Sequence, residues 1–132
     1  PDILVQSEET PRSDRHHSIL IAEDVYENYF LLETLFGKQY QLYHALNGQE
    51  AIDMFETYHP DLILMDIKMP VMDGFEATRR IRTLSKTIPI IALTAFAFER
   101  EKEIAKQCEF TDYVVKPIDI KELKKLIAKV LA

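Results

Sequence analysis

Three acidic residues follow two apolar runs of the chain, at positions where a folded sheet would bring their side chains together. Glu23 and Asp24 come after the run Ser18–Ala22, and Asp66 comes after the run 62–65. Carboxylates that lie close together repel one another unless a cation neutralises them, and oxygen ligands of this kind suit Mg²⁺. The pattern therefore predicts a magnesium site formed by these three residues.

The elements that must position these residues are five strand-like runs that alternate with helix-like runs from residue 18 onward. This alternation is typical of a parallel sheet with crossover helices. The predicted strands are 18–23, 40–46, 61–66, 88–94 and 111–115. The first, third and fourth are nearly continuous apolar runs, as expected for central strands that helices cover on both faces. The sequence therefore predicts an α/β fold.

The first helix is predicted from an apolar repeat that begins directly after the acidic pair. Its members are Val25, Tyr29, Leu32 and Phe36, which recur at helical spacing. Gly37 follows the repeat, and we expect it to end the helix in the φ > 0 conformation that glycine adopts easily.

The other helices are predicted from similar repeats. The second, third and last helices are expected to bury Ala51, Ile52 and Phe55, then Ala77, Ile81 and Leu84, and finally Ile120, Leu123, Ile127 and Val130. The fourth, at about 97–108, has only a thin apolar stripe. A weakly anchored helix beside a site is a candidate moving part.

Polar residues also end the fourth and fifth predicted strands. Thr94 ends the fourth strand, and Lys116 follows the fifth. In an open parallel sheet, ligands bind beyond the carboxyl ends of the strands, so these two residues should share a rim with the acidic cluster. Each alone could be a capping or solvated surface residue, whereas their convergence indicates a site.

Composition limits the classes of function. A chain of 132 residues with 47% hydrophobic content fits one domain with a single core. The net charge of −6 disfavours direct nucleic-acid binding. A single cysteine, Cys108, excludes an intramolecular disulfide and favours a reducing cytoplasm. No apolar stretch approaches the roughly 18 residues of a membrane span, so no membrane contact by this domain is expected.

Two regions differ in pattern. Residues 1–17 are mostly polar and lack helical or strand periodicity, so they are predicted to be a linker or disordered tail. Residues 18–132 form the predicted domain. Because the chain begins at Pro1 and not at a methionine, we expect a piece of a longer protein or a processed chain.

Four segments of the chain resemble response-regulator receiver domains of two-component signalling. They are Ile-Ala-Glu-Asp at 21–24, Leu-Met-Asp-Ile-Lys-Met-Pro-Val-Met-Asp-Gly at 64–74, Ala-Leu-Thr-Ala at 92–95 and Asp-Tyr-Val-Val-Lys-Pro at 112–117. Together they span nearly all of residues 18–132. The resemblance implies a flavodoxin-like (βα)5 fold, with a doubly wound five-stranded parallel sheet in the strand order 2-1-3-4-5.

The resemblance also implies roles for the rim residues. Asp66 would be the phosphoacceptor, taking a phosphoryl group from a histidine kinase or a histidine phosphotransfer domain to form an acyl phosphate. Glu23, Asp24, Asp66 and the backbone carbonyl of Lys68 would hold Mg²⁺. Lys116 would pair with a phosphoryl oxygen and stabilise charge in the transition state.

The implied output is a change of surface after phosphorylation. The Thr94 hydroxyl and the Ala95 amide would bind the phosphoryl group, and Tyr113 would turn from an exposed to a buried rotamer. The new surface would comprise the fourth helix, the strand 111–115 and the last helix, and it could support a phosphorylation-dependent dimer.

The resemblance has further implications. Lys68 and Phe96, two residues beyond Asp66 and Thr94, would occupy positions that in this family tune how fast the phosphoryl group is lost. The resemblance further implies a cis peptide bond between Lys116 and Pro117. Many relatives have glycine at the position of Glu109, so a φ > 0 backbone there would cost about 1 kcal/mol or require a rebuilt turn.

The parent protein and its activity stay open. We favour the C-terminal receiver of a hybrid sensor histidine kinase over a stand-alone regulator or a degenerate receiver that only binds partners. The domain would then be cytoplasmic, and it could be the cytoplasmic part of a membrane-bound sensor. The domain would promote its own phosphorylation and dephosphorylation, while kinase activity of the parent is undecided. A phosphatase of the haloacid-dehalogenase type is disfavoured, because Lys68 stands where that class needs a second aspartate.

Overall fold

The computed structural model describes residues 17–95 and 99–132. Nearly all of the predicted linker, and the predicted tuning residue Phe96, lie outside the described residues. Within the described ranges, no helix is both long enough and apolar enough to cross a membrane.

Five parallel strands alternate with five helices along the described chain. The strands are β1 (Ser18–Ala22), β2 (Gln41–Ala45), β3 (Leu62–Asp66), β4 (Ile90–Thr94) and β5 (Asp112–Val115). The helices are α1 (Tyr26–Phe36), α2 (Gly48–Tyr58), α3 (Gly74–Leu84), α4 (Glu99–Gln107) and α5 (Ile120–Val130). The sheet order is β2-β1-β3-β4-β5, and every neighbouring pair is parallel. The predicted flavodoxin-like fold is confirmed.

The core consists of two apolar layers, one on each face of the sheet. In β1, Ile19 and Ile21 face the layer with α1 and α5, whereas Leu20 and Ala22 face the layer with α2 and α3. Successive side chains of a strand point to opposite faces, so a strand covered on both sides must be apolar at every position. This explains the continuous apolar runs of β1, β3 and β4, and it fixes the carboxyl ends of these strands rigidly at one rim.

The first helix differs from the prediction at both ends. Val25 is the N-cap of α1 and is 42% exposed, so it does not belong to the buried face. Gly37 has φ −66°, so the predicted φ > 0 stop is wrong. The chain continues in a right-handed turn, with the Gly37 N–H donating to the Glu33 carbonyl at 2.8 Å. A Cβ at Gly37 would lie 2.7 Å from the Glu33 carbonyl oxygen, so close approach favours glycine here.

The end of α3 also differs from the prediction, because a buried arginine takes the place expected of an apolar residue. Leu84 is 52% exposed, whereas Arg82 is 6% exposed. The Arg82 guanidinium donates to the carbonyls of Ile88 at 2.7 Å, Ser85 at 3.3 Å and Glu109 at 2.9 Å. Glu109 has φ 62°, so the turn after α4 keeps the left-handed conformation despite lacking glycine, and Arg82 binds its carbonyl.

We expect the substitution Arg82→Leu to lower the free energy of unfolding by about 2–4 kcal/mol, because it leaves three carbonyls without their donor. The matched control is Arg80→Leu on the exposed side of the same helix, where the arginine contacts Glu76 at 2.9 Å. That exposed pair should contribute less than about 1 kcal/mol. Urea denaturation measures both losses, and equal losses would contradict a special role for Arg82.

Candidate functional site

The acidic residues predicted from the sequence meet at the carboxyl ends of two neighbouring strands. Glu23 and Asp24 follow β1, and Asp66 is the last residue of β3. Because β1 and β3 pair directly, one carboxylate oxygen from each residue lies within 4.8 Å of the others. The rim therefore carries three carboxylates in a space that a single cation could bridge.

Two of these three carboxylates are buried. Glu23 is 1% exposed and Asp66 is 5% exposed, whereas Asp24 lies nearer the solvent. Burial raises the pKa of Glu23, and the neighbouring Asp66 carboxylate raises it further, although a hydrogen bond from the Val25 N–H at 3.0 Å acts in the opposite direction. The rim thus holds acidic groups whose charged forms are poorly solvated.

Lys116 brings a positive charge into the cluster from the loop after β5. Its Nζ lies 3.2 Å from Asp66 Oδ2 and 4.0 Å from Glu23 Oε1. The Lys116 N–H donates to the Thr94 carbonyl at 2.7 Å, and the bond between Lys116 and Pro117 is cis, as the family resemblance implies. In formal charge, one ammonium group against three carboxylates leaves −2, the amount that a divalent cation neutralises.

A cleft of about 240 Å³ opens at this rim and gathers most of the predicted site residues. Its lining includes Glu23, Asp24, Asp66, Thr94, Ala95 and Lys116. Thr94 is 5% exposed at the end of β4, while Lys68 lies exposed at the edge of the cleft. Tyr113 does not line the cleft and is 49% exposed on β5. Among the described residues, the predicted site residues therefore lie together at this cleft, except for Tyr113, which lies outside it.

Three other residues of this region lie outside the four sequence motifs. Asn28 on α1 and Glu101 on α4 line the cleft. The His44 ring on β2 lies with Nε2 2.8 Å from the Glu23 carbonyl oxygen. No local pattern could have found His44, because its partner is 21 residues away along the chain and the contact depends on strand pairing.

The donor set fits Mg²⁺. All three converging side chains offer carboxylate oxygen, the ligand type that hard divalent cations prefer, and the cluster keeps an uncompensated negative charge after Lys116 is counted. A carboxylate beside a lysine and a threonine at an open cleft is an arrangement suited to accepting a phosphoryl group.

The chain is similar to known proteins. The family model described as the response regulator receiver domain matches residues 19–128. The chain is 34% identical to sporulation initiation phosphotransferase F of Bacillus subtilis over 117 residues, covering 88% of this chain and 94% of that protein. It is 38% identical to regulatory protein AtoC of Escherichia coli over 114 residues, which is 86% of this chain but only 25% of AtoC.

Solved structures agree with this similarity. The receiver domain of a signal transduction histidine kinase from Syntrophus aciditrophicus has a TM-score of 0.82 and 32% identity, with 87% of this chain and 89% of that chain covered. The receiver domain of sensor histidine kinase PA1611 from Pseudomonas aeruginosa, with a magnesium ion in its active site cleft, has a TM-score of 0.80 and 33% identity, with 88% and 98% covered. The chain belongs to the response regulator receiver domain family, the receivers of two-component signalling.

Proposed function

We propose that this receiver accepts a phosphoryl group on Asp66 from the phosphohistidine of a histidine kinase or a histidine phosphotransfer domain, in a reaction that requires Mg²⁺. The observation that carries the proposal is the position of the Asp66 carboxylate. It lies at the open rim, 3.2 Å from the Lys116 ammonium group and within 4.8 Å of the Glu23 and Asp24 carboxylates.

The transfer is a single displacement at phosphorus. An Asp66 oxygen forms the new bond to phosphorus while the bond from phosphorus to the donor imidazole breaks, and its electron pair remains on the imidazole nitrogen. Glu23, Asp24, Asp66 and the Lys68 carbonyl would hold Mg²⁺, which supplies charge neutralisation for the phosphoryl oxygens. Lys116 would leave Asp66 Oδ2 to bind one of these oxygens.

The response to phosphorylation would begin at the end of β4. The Thr94 hydroxyl and the Ala95 amide lie at the cleft and would donate to the new phosphoryl oxygens, which draws their loop inward. Tyr113 is 49% exposed and borders a cavity of about 350 Å³ between α4 and β5, which offers room for an inward rotamer. We infer that the surface of α4, β5 and α5 changes and supports partner binding or dimerisation.

The phosphoryl lifetime would depend on side chains at the mouth of the cleft. Lys68 is exposed there, which is compatible with a role in tuning hydrolysis. The same role is proposed for Phe96, which lies outside the described residues.

We propose that this domain is part of a hybrid sensor histidine kinase and lies in the cytoplasm. Similar structures include receivers of two histidine kinases, which supports this context. The alternative is a stand-alone regulator, since the chain also covers 94% of sporulation initiation phosphotransferase F. Phosphotransfer profiling against a panel of histidine-phosphorylated kinases and phosphotransfer domains tests both contexts, because a hybrid receiver should prefer the kinase core encoded with it.

Mg²⁺ should stabilise the protein against thermal unfolding. A ligand that binds only the folded state adds about 1.4 kcal/mol at ten times its Kd. Asp24→Asn removes one of the three carboxylates and should abolish most of this gain. Asp53→Asn on the exposed side of α2 makes the same charge change away from the site and should keep it. Equal Mg²⁺-induced shifts in the two variants would argue against the metal site.

Incubation with Mg²⁺ and acetyl phosphate should add the mass of one phosphoryl group to the protein. The gain should be absent in Asp66→Asn, which lacks the nucleophile, and present in Asp53→Asn. Intact-protein mass spectrometry measures it. No gain in the wild-type protein with acetyl phosphate or with any histidine-phosphorylated partner would instead favour a receiver that only binds partners.

Replacing the rim lysine should separate metal binding from phosphoryl transfer. We expect Lys116→Met to slow phosphorylation by about 10²-fold, because a charged donor to the transition state is lost. The same variant should bind Mg²⁺ more tightly, because a competing cation has left the carboxylates. Lys121→Met on the exposed side of α5 should change neither the rate nor the Kd. Weaker Mg²⁺ binding in Lys116→Met would refute this account.

A further inference from the structure

The His44 side chain completes the pairing of β2 with the acidic turn after β1. Its Nε2 lies 2.8 Å from the Glu23 carbonyl oxygen, and because a carbonyl can only accept, Nε2 carries the hydrogen. The Glu23 N–H donates to the Ala45 carbonyl at 3.0 Å. Both backbone groups of Glu23 are therefore held by β2, one through its backbone and the other through a side chain.

The ring takes a position that a backbone amide would occupy in a longer strand. If the parallel ladder continued, the N–H of Asn47 would be expected to donate to the Glu23 carbonyl. Asn47 is instead the N-cap of α2, where its side chain accepts from the Glu50 N–H at 2.9 Å. The chain has turned away by this point, and His44 supplies the donor that the ladder lacks.

The orientation of the His44 ring is fixed from α1. The ring stacks on Tyr29 with centroids 3.7 Å apart and an interplanar angle of 1°. Tyr29 is itself buried, so the stacked pair has little freedom to rotate. Because the ring is already ordered, its hydrogen bond to the turn costs little additional entropy.

This hydrogen bond restrains the orientation of the peptide group that joins two proposed metal ligands, Glu23 and Asp24. The Glu23 carbonyl belongs to the planar peptide group between Glu23 and Asp24, so rotation of that plane changes the direction of the side chains that flank it. The Glu23 carboxylate is separately anchored by the Val25 N–H at 3.0 Å. Freeing the peptide would therefore affect mainly Asp24.

We propose that His44 is a positioning residue that holds the Asp24 carboxylate in place for a divalent cation bound with Glu23 and Asp66. The inference rests on the proposed function, because it assumes that these carboxylates bind Mg²⁺. A side chain that only packed α1 against β2 would contribute to stability and leave the Mg²⁺ affinity of the folded protein unchanged.

The test compares three variants in calorimetric titrations with MgCl₂. His44→Phe keeps an aromatic ring for Tyr29 and loses the donor, and it should raise the Kd for Mg²⁺ about tenfold, the size typical of an outer partner of a metal ligand. His44→Gln loses the stack on Tyr29 but keeps an amide donor for the Glu23 carbonyl. Its Kd should therefore rise less than that of His44→Phe. Leu42→Ala, on the same strand and face, should lower stability without changing the Kd.

A kinetic measurement adds a second readout. Phosphorylation of His44→Phe by acetyl phosphate should be slow at low Mg²⁺ and should approach the wild-type rate at saturating Mg²⁺, because only the positioning of the metal ligands has changed. A rate that stays low at saturating Mg²⁺ would overturn the assignment, since it would show that the substitution damages the transfer step itself.

The metal-free protein provides an independent readout. In a long-range ¹H–¹⁵N spectrum at about pH 8.5, where free imidazole is neutral, the His44 proton should reside on Nε2. A proton on Nδ1, or a Kd for His44→Phe within about twofold of wild type, would overturn the inference and leave the proposed function standing. Wild-type protein that shows the Nε2 proton and binds no Mg²⁺ would overturn the proposed function, and the inference with it.

Discussion

The repulsion among three carboxylates at one rim is the constraint on which the site depends. Glu23, Asp24 and Asp66 are kept together because β1 and β3 are neighbours in a sheet that is buried on both faces. Lys116 offsets only part of their charge. The folded protein therefore maintains an arrangement that is unfavourable by itself, and a divalent cation bound there would relieve the repulsion.

The rest of the molecule divides into a part that resists change and a part that can change. The central strands contribute fully buried side chains to two apolar layers, and each such side chain stabilises the fold by about 1.5–3 kcal/mol. Among the described residues of α4, by contrast, only Ala105 is buried. The proposed switch requires this combination, because charge added at a rigid rim would then move a thinly anchored helix without unfolding the core.

Arg82 shows how the fold accommodates a strained turn without glycine. Glu109 keeps a left-handed backbone, and the buried guanidinium binds its carbonyl as well as two carbonyls of the loop after α3. The periodicity that predicted Leu84 as a core residue could not anticipate this. A buried arginine is stable only when several acceptors surround it, and these acceptors come from separate parts of the chain.

The α/β alternation, the strands to within two residues and the rim residues at strand ends were predictable from the chain, because periodicity and strand termini are local properties. The apolar repeat predicted Val25 and Gly37 wrongly, because it does not mark the residue at which α1 begins or the backbone conformation in which it ends. The direct contact of Lys116 with Asp66 across 50 residues, and the hydrogen bond of His44 to the Glu23 carbonyl, became visible only in the folded protein. Contacts of this kind arise from strand order and register, which bring distant residues together and leave no periodic mark on the chain.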